Sequence, residues 1–587
     1  MKRLAALLLL ASFATGAHAS SDAAFEALGD RFVADLPNFS PVASTSIGDH
    51  SRDADLDQVD AAARDSLIAL LQSYQDELGA IDRDDLSRAN QIDYELLQSD
   101  IASRLWTLEK LQEWAWNPLY YVSIAGNSVF SLTARDFAPL EQRLANVASR
   151  LEQLPRFLEQ ARASIQPERV PKINAETAVA RNLGLVSIIE TMVVPEMDQL
   201  PAATRSRLEA AIEVARNTLA DHQTWLEEEL LPRAAGDFRI GAELYDRKLA
   251  FALDSPLSRR EIVARAEAAY ASVRNQMYAV AKEIYAADHP YTAFPDSPDE
   301  AYKQAVIRAA LEKAYQELPP RDGIIELARE QMQQATDFVI ENNLVTMPDE
   351  PVEITVMPEF RRGITAAFLV SPGPLDKGQP TFYEVSPIPE DWSEEKVRSF
   401  LREYNVYSIQ DLTIHEGVPG HYLQLALSNR YPSVLRGVLQ SGPMIEGWAV
   451  YAEQLMIDEG YQDNDPLQRL IMLKWNLRAV TNAIIDSAIH VDGMTRDEAM
   501  KLMVEGGFQE EREAAMKWLR AQLTSTQLST YFVGYQEWVE LRQAVEDAWG
   551  DEFTLRRYHD QVLSYGSPPV KYVRALILNE PIPAGVD

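Results

Sequence analysis

Two histidines stand six positions apart in Ile414-His415-Glu416-Gly417-Val418-Pro419-Gly420-His421, a spacing that no unbroken helix can turn into one site. Histidines four positions apart share a helix face and bind one Zn²⁺, leaving the glutamate after the first to activate a water. Six positions advance an ideal helix by about 600°, which puts the side chains roughly 120° apart. Either the segment holds no metal, or the helix is broken between its ligands. Pro419-Gly420 is the pair able to break it, because proline removes a backbone donor and glycine accepts dihedrals closed to other residues. Any fold for this chain has to resolve that segment.

The rest of the chain reads mainly as amphipathic helix. Apolar residues recur at helical spacing over Ala54 to Leu78 (Leu67, Leu70, Leu71, Tyr74, Leu78) and Asp84 to Trp116 (Leu96, Leu97, Ile101, Leu105, Leu108, Leu111). Further helices are expected at 139–164, 174–193, 203–230, 258–285, 299–316 and 322–342, between prolines that punctuate them. After Leu344 the texture changes. Segments 352–358, 366–371 and 380–386 are short, β-prone and separated by Pro-Gly turns. They either form an edge on which an extended peptide can lie or a structural sheet joining two helical halves. Helix resumes at about 401–428, 433–459, 465–490, 495–505, 509–523, 528–547 and 553–564.

Lys2 and Arg3, the apolar stretch Leu4 to Phe13 and Ala17-His18-Ala19 read as a secretory signal over residues 1–19. The expectation is an exported protein, periplasmic or extracellular, without a membrane anchor: the stretch is too short to span a bilayer, and no cysteine is present to carry a lipid or form disulfides. A net charge of −34 argues against nucleic acid or anionic membrane as partner.

If His415 and His421 are ligands, a third is needed, with the fourth position open. Glu446 stands on the next expected helix, 25 residues on, where a helix hairpin could fold it across the metal; a solvated carboxylate is the alternative. Glu453, two turns further along the same face, could orient a ligand histidine. No Gly-x-Ser-x-Gly elbow or phosphate-binding glycine loop is present.

The string His415-Glu416-Gly417-Val418-Pro419-Gly420-His421, with Glu446-Gly447-Trp448-Ala449-Val450-Tyr451-Ala452-Glu453 after it, resembles the bacterial "domain of unknown function 885" family. Asp486…His490…Gly493, Gln527…Tyr531…Gly534 and Tyr558-His559-Asp560…Gly566…Pro569 continue the resemblance over about 415–570. Departures fall at Tyr422, Ser487-Ala488 and Met494. These proteins are similar to helical zinc metallopeptidases of the HExxH-plus-Glu kind, the carboxypeptidase Taq and angiotensin-converting-enzyme types. The resemblance implies His415, His421 and Glu446 as Zn²⁺ ligands and Glu416 as general base. It also implies a mostly α, large multi-helical zincin-like fold with a central cleft that admits short peptides.

Metal-assisted hydrolysis needs further donors for the developing oxyanion. Tyr531 is a candidate through its phenol, and His490 because Asp486 four residues earlier could set its tautomer. The alternatives are a core tyrosine and a structural Asp–His pair. His559 reads as structural. A substrate carboxylate would need a cation, for which Arg574 and Lys571 with Tyr572, or Arg361 and Arg362, are candidates unless they are surface residues. The expected organisation is a signal peptide (1–19), an N-terminal helical region (20–345) and a zinc-site region with the β segment (346–587), intertwined as one unit. The expected activity is zinc-dependent exo- or oligopeptidase action on short peptides. A zinc hydrolase of non-peptide amides or esters, or a non-catalytic peptide-binding protein, are the alternatives.

Overall fold

The computed structural model describes residues 20–357 and 366–586; the signal-like segment 1–19 and the candidates Arg361 and Arg362 lie outside the described residues. Side-chain caps set many helix starts. Asp60 opens α1 (Ala61–Gly79) and Ser87 opens α2 (Arg88–Trp106), each by accepting a backbone N–H that has no partner inside the helix. There follow α3 (Pro118–Thr133), α4 (Leu140–Ser164), α5 (Lys172–Ile188), α6 (Ala202–Trp225) and α7 (Gly241–Leu253). A Ser258/Glu261 capping box starts α8 (Arg259–Asp288), and α9 (Glu300–Ala314) and α10 (Ile324–Glu341) complete the first stretch.

Helices α3 to α6 form a layer around Leu144, Val147, Phe157, Ile188, Leu208 and Leu219. The helical run Lys172–Gln199 is long and apolar enough by composition to cross a membrane. In the fold it lies in this layer, with Asn182 Nδ2 donating to Leu219 O and Gln223 Oε1 of α6. Residues 118–133 and 241–253 gave no helical expectation. Helix α3 is apolar nearly all round, so it carries no stripe for periodicity to detect. The expected helix to Trp116 stops at Trp106, and Gln112, at φ 54°, turns the chain into a short separate helix.

The β-prone segments form one three-stranded sheet from β1 (Val352–Val356), β2 (Ala367–Val370) and β3 (Thr381–Val385) in the order β1-β3-β2. Strand β1 runs parallel to β3 with Val352 opposite Thr381, and β2 antiparallel with Ala367 opposite Val385. The protein is thus mostly α with one small sheet among the described residues.

Beyond the sheet come α11 (Glu394–Glu403), α12 (Val406–Glu416), α13 (His421–Ser428), α14 (Gly442–Asp458), α15 (Pro466–Ser487), α16 (Glu511–Leu523), α17 (Ser529–Trp549), α18 (Leu555–Leu563) and α19 (Val570–Ile577). The expected helix 401–428 is therefore three helices, broken at Tyr404-Asn405 and at Gly417 to Gly420. The chain's two halves interleave: α8 packs along α15, α10 along α12, and buried Arg436 pairs with Asp93 of α2 at 2.7 Å. Trp448, Tyr451, Trp538 and Tyr558 fill the core under α12 and α14, with Tyr383 of β3. His559 is structural, as expected: Nδ1 donates to Leu344 O at 2.7 Å, and Tyr451 Oη lies 2.8 Å from Nε2.

Helices α14 and α17 touch backbone to backbone. A Cβ on Gly534 would lie 2.0 Å from Pro443 O and 2.8 Å from Gly447 Cα. Backbone cannot yield as a side-chain tip can, so Gly534→Ala should destabilise the protein by about 1–3 kcal/mol or more. Denaturant unfolding measures this, and an unchanged midpoint would contradict the contact.

His50 ties the first helices to the loop after β2, with Nδ1 3.0 Å from Asp53 Oδ2 and Nε2 3.1 Å from Asp376 Oδ1. Both ring nitrogens must donate, which requires the imidazolium. Burial works against that charge, but hydrogen bonds to Asp376 and Asp53 outweigh it and raise the pKa to about 9. A free imidazole titrates near ~6.5. The stabilisation is therefore complete below ~6.5 and is lost as pH rises through about 9. Wild type should lose stability over that window, and His50→Gln should not; parallel pH profiles would contradict the latch.

Candidate metal centre

Helix α12 starts at buried Asn405, whose side chain accepts from Tyr407 and Ser408 N–H, both at 3.1 Å. It ends with Gly417 N donating to Thr413 O at 2.9 Å. The next bonds skip: Gly420 N reaches Ile414 O at 3.0 Å and Leu423 N reaches Gly417 O at 3.4 Å. Each spans six residues where an α-helix spans four. Two residues have thus been inserted and looped out, and helical bonding resumes with Gln424 N to Gly420 O at 3.0 Å. The Val418-Pro419 peptide in the loop is cis, and Pro419 O accepts from Trp448 Nε1 at 2.8 Å. Gly420 is required by close approach, since a Cβ there would sit 2.0 Å from His415 O.

The insertion returns His421 to the side of His415. Their rings lie 4.7 Å apart at 84°. Glu446, on the second turn of α14, places Oε2 3.5 Å from His421 Nε2 and 3.8 Å from His415 Nε2. Ligand atoms of all three residues lie within 4.8 Å of one another. These separations exceed a hydrogen bond. They suit donors around a tetrahedral Zn²⁺, whose bonds of ~2.0–2.2 Å put neighbouring ligands about 3.3 Å apart. The donor set of two imidazoles and one carboxylate with no thiolate also suits zinc.

Glu453 Oε1 lies 2.6 Å from His415 Nδ1, so the carboxylate fixes the tautomer that turns Nε2 toward Glu446. His421 Nδ1 is buried and has no partner among the described residues. Burial opposes charge on His415, yet the nearby carboxylates of Glu446 and Glu453 hold its pKa well above the ordinary value. Burial likewise opposes ionisation of Glu446, and the two imidazoles override it, holding the carboxyl below its usual range. Asp411, one turn before His415, was missed in the sequence. It is fully buried with both oxygens unpartnered among the described residues, and burial, then Glu453, push its pKa far up.

Glu416 and Tyr531 line the same cavity as His415, of about 100 Å³. Tyr531 Oη accepts from Arg520 Nη2 at 3.1 Å and from Gln527 Nε2 at 3.4 Å, which leaves its own proton to donate into the cavity.

The other expected site residues stand elsewhere. His490 Nε2 faces Ala521 O and Thr524 O, both at 2.8 Å, and does not line this cavity. Asp486 does not set its tautomer; the carboxylate accepts from Thr526 N, Ser529 N and Ser529 Oγ at 3.0 to 3.1 Å, and so holds the start of α17. Helical spacing put the pair within reach, but Asp486 is taken by the groups at the start of α17, and His490 Nε2 by two backbone carbonyls. Arg574 pairs with Glu580 at 2.9 Å on the surface, and Tyr572 is fully buried against Ile92, Leu96 and Ile582. Neither faces the site, and Lys571 is engaged by Asp254 at 2.8 Å. The cations beside the candidate centre are Arg478, Lys517 and Arg520. Lys517 was legible, because it stands in the buried stripe of α16 between Ala514 and Ala521.

Fold and site together define a helical protein with a candidate His₂Glu metal centre. Residues 41–577 match the family described as bacterial protein of unknown function (DUF885), and the chain belongs to it. A solved structure from Shewanella oneidensis, of a protein of unknown function provisionally described as a lipoprotein, is 32% identical. It superposes with a TM-score of 0.79 over 94% of this chain and 99% of its own. A protein from Colwellia psychrerythraea with a similar description is 18% identical, with a TM-score of 0.76 over 95% and 98% of the two chains, and shares the fold. No functionally curated protein matches the chain.

If Glu453 orients His415, Glu453→Gln should weaken zinc binding about 10–100-fold. Competition against a chelator measures this, and unchanged affinity would contradict the orienting role.

Proposed function

We propose that this protein is an exported zinc-dependent hydrolase that cleaves short peptides. The observation that carries the reading is the convergence of His415, His421 and Glu446, whose carboxylate lies 3.5 and 3.8 Å from the two imidazoles, with Glu416 lining a cavity beside His415. His415, His421 and Glu446 would hold the ion. When bound, Zn²⁺ would supply a Lewis acid and lower the pKa of a water from 15.7 toward about 7.

The chain's own residues supply the remaining chemistry. Glu416, on the last turn of α12, would take the proton of the attacking water and return it to the leaving amine. Tyr531 Oη would donate to the oxyanion as it develops. Glu453 would keep His415 in one tautomer throughout. A peptide-binding protein without activity has no use for Glu416 or for a phenol with its proton free, which favours hydrolysis. The helical-metallopeptidase resemblance favours peptides over other amides and esters. Export is supported by the signal-like residues 1–19 and by the lipoprotein descriptions of the two solved relatives.

The test is hydrolysis by zinc-loaded protein of a short-peptide library beside non-peptide amides and esters. Peptides should turn over, and Glu416→Gln should bind zinc normally while lowering kcat about 10²–10⁴-fold. A variant as fast as wild type overturns the mechanism, and turnover confined to non-peptide substrates overturns the substrate class.

A further inference from the structure

Helix α16 carries an apolar stripe inward, yet Lys517 occupies it at 5% exposure between fully buried Ala514 and Ala521. Lysines are almost never fully buried without a partner. Among the described residues no carboxylate lies within 4.0 Å of Lys517 or of Arg520. The acids around them are already committed. Glu403 accepts from Lys474 Nζ at 2.8 Å and Arg478 Nη1 at 3.4 Å. Glu513 accepts from Tyr404 Oη at 3.1 Å and faces Arg478 Nη2 at 3.7 Å. Arg520 donates to the neutral Gln527 Oε1 at 2.7 Å and Tyr531 Oη at 3.1 Å.

Their position points to what they await. Lys517 and Arg520 line the cavity of about 100 Å³ that also holds His415, Glu416 and Tyr531. An anion there would meet an ammonium and a planar guanidinium in a desolvated setting, where charge-assisted bonds are strongest. Burial, reinforced by Arg478 and Arg520, pushes the Lys517 pKa well down against Glu513 and Glu403. An arriving carboxylate would favour the charged form.

We propose that Lys517 and Arg520 receive the free C-terminal carboxylate of the substrate, so that the protein removes residues from the carboxyl ends of short peptides. This rests on the peptidase reading above.

The test compares zinc-loaded wild type and Lys517→Met on N-acetylated peptides as free acids, as C-terminal amides, and as amides bearing a glutamate near the end. Free acids should be cleaved with kcat/KM about 100-fold above the amides, and Lys517→Met should remove that preference. Its melting temperature should rise, because a buried amine without a carboxylate partner is replaced by an apolar side chain of similar length. Equal cleavage of acids and amides overturns the proposal, as does cleavage of glutamate-bearing amides as fast as acids. A fall in melting temperature would assign Lys517 to the fold and also overturn it.

A second arm titrates N-acetyl-phenylalanine and N-acetyl-phenylalaninamide calorimetrically into the metal-free protein. The acid should bind wild type and not Lys517→Met, and the amide should bind neither. If the acid binds while no peptide is cleaved, the peptidase reading fails and the carboxylate site stands. If peptides are cleaved without preference and the acid does not bind, the reverse holds.

Discussion

Two backbone hydrogen bonds that span six residues, Gly420 to Ile414 and Leu423 to Gly417, hold the structure's chemistry in place. They let α12 and α13 behave as one helix with two residues looped out. His421 thereby recovers the position that a four-residue spacing would have given it. The loop is closed from the neighbouring helix, where Trp448 donates to Pro419 O two residues after Glu446. That tryptophan is fully buried and crosses Trp538 of α17 at 5.0 Å and 71°. The helix that supplies the third candidate ligand thus also clamps the insertion between the first two. The Gly447–Gly534 contact brings α17, and with it Tyr531, against the same turn of α14.

Charge around this turn is gathered in two groups. Glu416, Glu446, Glu453 and Asp411 cluster about two imidazoles, while Arg478, Lys517 and Arg520 line the cavity that His415, Glu416 and Glu453 also line. Buried carboxylates gathered this closely are costly without a cation, and a divalent ion at the convergence point would offset much of that cost. Lys517 and Arg520, which have no carboxylate partner among the described residues, leave a complementary place for an anion. A larger cavity of about 560 Å³ opens beyond Arg520, between α16 and the N-terminal helices at Tyr120 and Ile124. Residues from both halves of the chain therefore surround the approach to the site.

The sequence made the helical class and the small sheet legible because amphipathic stripes and Pro-Gly punctuation are local signals. Helix α3 lacked a stripe and so left no trace of that kind. The candidate triad was readable because Glu446 and Glu453 lie two turns apart behind a broken motif, and the structure sets Glu453 on His415 and Glu446 near both histidines. His490 and Arg574 were misread for a common reason. Spacing shows which partners are within reach but not which are closer, and Ala521 O, Thr524 O and Glu580 were closer. Lys517 went unread in the sequence, although a single charge on the apolar stripe of α16 marks it.

The most direct test of the account is anomalous diffraction at the zinc absorption edge from crystals of the zinc-treated protein. A single strong peak should appear between His415 Nε2, His421 Nε2 and Glu446 Oε2, and it should vanish in Glu446→Ala crystals. Absence of a peak there, or a peak only at surface carboxylates, would contradict the claim that the stretched motif builds a metal centre.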